Sequence, residues 1–87
     1  MIMEFKRGTV VVSAAGRDKT HLMVVVKVDE KRVKVCDGDD RKLNNPKSKN
    51  PKHLIATGTV IDMDLIESDR ALRKALKEAG SGSKEAN

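Results

Sequence analysis

Between Thr9 and Cys36 the chain gathers its β-branched residues into short runs separated by turn formers, a pattern that admits little besides a small β domain. Thr9-Val10-Val11-Val12-Ser13, bounded by Gly8 and Gly16, reads as a strand. Leu22 to Val28 reads as a second, buried on both faces at first and alternating after Val26. Glu30-Lys31 makes a polar two-residue turn. Arg32 to Cys36 then alternates, with Val33 and Val35 on one face and Cys36 on the other. The two runs predict a hairpin. Asp37-Gly38-Asp39-Asp40 is a turn cluster in which Gly38 can take positive φ.

From Arg41 to His53 the character changes. Arg41, Lys42, Lys47, Lys49 and Lys52 occur with no acid between them, and Pro46, Pro51 and three asparagines argue against regular structure. The segment reads as a basic loop, opening with a short strand at Arg41 to Leu43 and anchored by Leu43. Leu54 to Ile61 returns to β character, with Gly58 marking a bulge or kink. Ser68 is an N-cap, Asp69 suits the first helical turn, and Leu72, Ala75, Leu76 and Ala79 share one helical face. Gly80 is a natural stop, and Ser81 to Asn87 reads as a disordered tail. The expectation is a mostly β domain of four or five short strands, a small closed or half-closed barrel at 1–63, with a helical appendage at 64–80 and the tail at 81–87.

With 87 residues the chain has material for one thin-cored domain and little for the walls of a catalytic cleft. Lys and Arg outnumber Asp and Glu by 18 to 13, a formal charge of +5, which suits a polyanionic partner. Phe5 is the sole aromatic residue, so a nucleic acid would be held through cations, backbone amides and shape rather than stacked bases. Cys36 is the single cysteine, so neither an intrachain disulfide nor a cysteine-based zinc site is expected, and the chain reads as reduced and cytoplasmic. No apolar run approaches the length of a membrane span, and no signal peptide is read at the start.

The run Arg7-Gly8-Thr9-Val10-Val11-Val12-Ser13-Ala14-Ala15-Gly16-Arg17-Asp18-Lys19 resembles the KOW motif of ribosomal proteins. Val24 to Val28, Val33 to Gly38, Arg41-Lys42-Leu43, Pro46 to Asn50 and Lys52-His53-Leu54 continue the pattern. Together they look like the short bacterial relatives of the eukaryotic and archaeal large-subunit ribosomal protein fourteen-e, over about Phe5 to Thr57. The resemblance implies an SH3-like barrel that binds RNA, usually on the ribosome. Thr20 departs from it, standing where KOW motifs often carry a glycine.

The chemistry of the residues accords with such a role. Gly16 permits a tight loop from which Arg17, Lys19 and His21 project; Arg17 can grip a phosphate bidentately and Lys19 acts as a point charge. Asp18 either pairs with or caps its own loop, or orients Arg17. Arg41, Lys42, Lys47, Lys49, Lys52 and His53 form the second expected RNA-contacting set, and Gly8, Gly16, Asp18 and Gly38 the loop-shaping set. His21 and His53 lack partner ligands at metal spacing, and Asp37, Asp39 and Asp40 lack the ligand series of a calcium loop, so no metal or cofactor is expected. No nucleophile–base pair or phosphate-loop pattern points to an enzyme. The α-helix either packs its leucine stripe on the barrel or docks on a partner. The expected partner is RNA, chiefly large-subunit ribosomal RNA, with ribosomal proteins as further neighbours; neither a membrane nor a small-molecule substrate is expected, and the free chain is expected to be a monomer. The alternative is a protein-interaction KOW module of the transcription or translation machinery.

Overall fold

A computed structural model describes residues 5–13, 21–39 and 41–85, with 80–85 described as backbone. Strands β1 (Thr9–Ser13), β2 (Leu22–Val28), β3 (Val33–Cys36), β4 (Lys47–Lys49) and β5 (Leu54–Val60) form one antiparallel sheet in the order β4-β3-β2-β1-β5. Two 3-10 turns, Pro51–His53 and Met63–Leu65, flank β5, and helix α1 (Asp69–Glu85) follows. β4 and β5 are the sheet's two edges and do not pair with each other, so hydrogen bonding does not close the sheet into a barrel.

The valine runs bury both faces of the central strands, as their near-continuous apolar character requires. On one face Val10, Val24 and Cys36 pack with Met63, Leu72 and Leu76, so α1 and the second 3-10 turn cover that side. On the other, Val11, Met23, Val25, Val33, Val35 and Leu54 pack together with Phe5. Each fully buried valine contributes roughly 2 kcal/mol of transfer free energy. Among the described residues the second cluster is lined by the sheet's own strands and Phe5, which requires the sheet to curl over it. Two register shifts supply curvature, between Val25 and Lys27 against β3 and between Thr9 and Val11 against β5. At the second, Gly58 takes φ of 92° and the Thr57 hydroxyl donates to the Val10 carbonyl at 2.9 Å.

β1 and β2 span the residues that the sequence predicts. The hairpin closes as expected, with the Asp29 N–H donating to the Arg32 carbonyl at 2.8 Å around Glu30-Lys31. Three expectations are corrected. Arg41 to Leu43 is a turn region, not a strand, because the Leu43 N–H donates to the Asp69 carboxylate of α1 at 2.6 Å instead of to a sheet neighbour. Lys47–Lys49 leaves the expected loop to become β4, pairing Lys47 with Val35 and Lys49 with Val33 and so satisfying the open edge of β3. Helix α1 continues through Gly80 to Glu85, where a stop at Gly80 was expected. Gly80 and Gly82 each weaken the helix by about 1 kcal/mol without ending it, and no proline follows to break it. Its N-cap is the expected one: the Ala71 N–H donates to Ser68 Oγ at 3.1 Å.

Candidate functional site

Gly8 opens β1 in a conformation that few other residues adopt. Its φ is 98°, and a Cβ there would lie 2.2 Å from the Ile61 carbonyl oxygen. Its N–H donates to Val25 O at 2.7 Å and its carbonyl accepts from the Ile61 N–H at 2.8 Å. The glycine thereby fixes the entry to the run that resembles the KOW motif. Gly16, Arg17, Asp18 and Lys19, expected to form that run's basic loop, lie outside the described residues.

His21, just before β2, is anchored to the end of β3. Its Nε2 meets the Oδ2 of Asp37, which is buried at the end of β3. The other oxygen of Asp37 accepts from the Asp39 N–H at 2.8 Å and the Arg41 N–H at 2.9 Å. Burial pushes the Asp37 carboxyl up, but hydrogen bonds from His21, Arg41 and Asp39, together with the charge of His21, outweigh it and hold the group below its ordinary range. Gly38, at φ of 80°, presses against α1, where a Cβ would lie 2.4 Å from the Asp69 carbonyl oxygen. Arg73 Nη1 donates to the Gly38 carbonyl at 2.7 Å. One turn therefore gathers the start of β2, the end of β3, the basic segment and α1.

The second set of expected contacts is displayed on three kinds of backbone. Arg41 and Lys42 are exposed in the turn region, Lys47 is exposed and Lys49 half-buried on the edge strand β4, and Lys52 and His53 are exposed on the first 3-10 turn. That turn is capped by Asn50, whose side chain accepts from the Lys52 N–H at 2.9 Å. Among the described residues none of these cations joins an ion pair. Leu43, the expected anchor, packs half-buried against the cluster beneath α1.

Residue pairing changes the reading of several side chains. Asp37 is the carboxylate that closes the turn, and among the described residues no cluster of three or more His, Cys, Asp or Glu could hold a metal ion. Cys36 is fully buried; burial first, then the negative charges of Asp37 and Asp69, push its thiol up to about 11. The leucine stripe of α1 is buried on the sheet, so it offers no docking face. Apolar exposure occurs elsewhere, at Ile55, Val60 and Leu65, which are 54%, 53% and 73% exposed. The roles of Asp69 and Arg73, each reaching a backbone group more than twenty residues away, have no periodic signal in the sequence.

Among the described residues, no helix is long and apolar enough to cross a membrane. No family model matches the chain, and no curated protein matches it.

Proposed function

We propose that this chain is an RNA-binding module of the KOW type, a half-closed SH3-like barrel that contacts folded RNA through phosphate positions and shape. The observation that carries the reading is the cationic series Arg41, Lys42, Lys47, Lys49 and Lys52, interrupted by no acid and joined in no ion pair among the described residues. A rigid strand and a capped 3-10 turn hold much of it, so less conformational freedom is lost on binding than with a free loop. Gly8 supports the reading by setting the start of the KOW-like run, and the single aromatic residue favours phosphate over base contacts. The RNA expected is ribosomal, of the large subunit, and the chain acts without catalysis or cofactor in the cytoplasm.

A second reading is a protein-interaction module of the transcription or translation machinery. It draws on Ile55 and Val60, exposed on the edge strand β5, whose residues include no charge. Crosslinking in cells followed by sequencing of attached RNA separates the two. Enrichment of one large-subunit ribosomal RNA region supports RNA binding. Recovery of no RNA above background, with a protein partner retained after nuclease treatment, overturns it in favour of the second reading.

A further inference from the structure

Beside the Asp37 turn the surface sinks into an open cleft of about 310 Å³ between the start of β2 and α1. Its apolar walls are Leu22 and Leu76, and its polar lining is His21, Asp39, Arg73, Lys77 and the buried Asp37, whose two oxygens are already engaged by His21, Asp39 and Arg41. The volume lies at the lower end of ligand-sized clefts, roughly 300–1,000 Å³. The rim combines charges of both signs. Lys77 is exposed on α1 and joins no ion pair among the described residues. Arg73 gives one N–H to the Gly38 carbonyl, which leaves the rest of its donor fork for another acceptor. Asp39 uses its backbone N–H on Asp37, while its exposed carboxylate has no partner among the described residues.

A ligand for such a rim needs an anionic group for Arg73 and Lys77 and a hydroxyl donor for Asp39. A simple anion meets the first need and is repelled by Asp39; a deoxynucleotide strand behaves likewise within the cleft. A ribonucleotide meets both, because its phosphate accepts from the cations and its 2′-hydroxyl donates to a carboxylate. The cleft is also lined by Asp37, whose carboxylate accepts from the Arg41 N–H, so it lies beside the start of the cationic series proposed for RNA.

We propose that this cleft seats one ribonucleotide unit of the bound RNA, its phosphate held by Lys77 and Arg73 and its 2′-hydroxyl by Asp39. The proposal rests on the RNA-binding reading and adds to it a preference for RNA over DNA. The test is fluorescence anisotropy with a labelled stem-loop RNA and its all-2′-deoxy counterpart, on the full chain and on Asp39→Ala and Lys77→Ala, both at exposed positions. Asp39→Ala is expected to weaken RNA binding about tenfold or more while leaving DNA binding unchanged or tighter, an effect on the scale of one hydrogen bond to a charged group. Lys77→Ala is expected to weaken binding to both and to reduce the salt slope by about 0.9, the loss of one phosphate contact. If both variants bind both probes as the parent chain does, with the same salt slope, the cleft assignment is overturned. If the parent chain itself binds neither probe, the RNA-binding reading fails, and the cleft assignment with it.

Discussion

His21 and Asp37 meet side chain to side chain across a separation of 16 residues, joining the position just before β2 to the position just after β3. Through Asp37 the contact extends to the backbone of Asp39 and Arg41. The residue that leads into β2 and the start of the second basic segment are thus fastened at one carboxylate, which sets how His21 and Arg41 stand relative to each other.

That carboxylate gives the fold an acid dependence. Its folded-state pKa lies below the ordinary value of 3.8, so its contribution is fully present above that value and is lost as pH falls through the folded pKa. Replacing Asp37 with Asn removes the charge at nearly constant shape and is expected to cost about 2 kcal/mol at neutral pH, the scale of a hydrogen bond to a charged group. Urea unfolding of both proteins from pH 7 to pH 2 checks this. The gap should narrow below about pH 4, where the unfolded chain's Asp also takes up its proton.

Gly8 and Gly58 share positive φ but not surroundings. Alanine at Gly8 meets the Ile61 carbonyl at 2.2 Å, whereas alanine at Gly58 meets nothing within 4 Å. Gly58→Ala is expected to cost about 1 kcal/mol of backbone strain. Gly8→Ala adds a backbone displacement to that strain and is expected to cost about 3 kcal/mol or more. In a domain of this size 1 kcal/mol corresponds to about 4–8 °C, so thermal melts should separate the two variants clearly.

The strands of the hairpin and β1 are legible in the sequence because valine density and alternation report burial directly, and Val33 and Val35 do face away from Cys36. β4 is not legible, since Lys47-Ser48-Lys49 carries no apolar residue and becomes a strand only because β3 presents an open edge to it. The end of α1 is hidden for a similar reason: Gly80 is a stop by local preference and the helix runs past it. In the candidate site the exposed cations are legible as an acid-free run, but their fastening is not. Asp37 reads as one acid in a turn cluster, and its link to His21 depends on two strands being brought together.

Cys36 lies at 0% exposure with its thiol raised to about 11, so at pH 8 it is both covered and protonated. Native protein is expected to resist alkylation by iodoacetamide, with modification appearing at the rate of unfolding. Labelling followed by mass spectrometry across a urea series checks this, and the labelling midpoint should match the unfolding midpoint.

Leu72 is fully buried where α1 crosses the sheet. Truncation to Ala is expected to cost about 3 kcal/mol, within the range for buried leucines. Ser68→Ala, which removes the cap from the same helix, is expected to cost about 1 kcal/mol. Chemical denaturation should rank them in that order.

The most direct test of the central claim is the salt dependence of binding to a folded RNA. If the five cations from Arg41 to Lys52 each neutralise a phosphate, the slope of log K against log salt is about −4 to −5 on a duplex-like RNA, and it flattens when Lys47 and Lys52 are replaced by Ala. A slope near zero, or one that those replacements leave unchanged, contradicts the account.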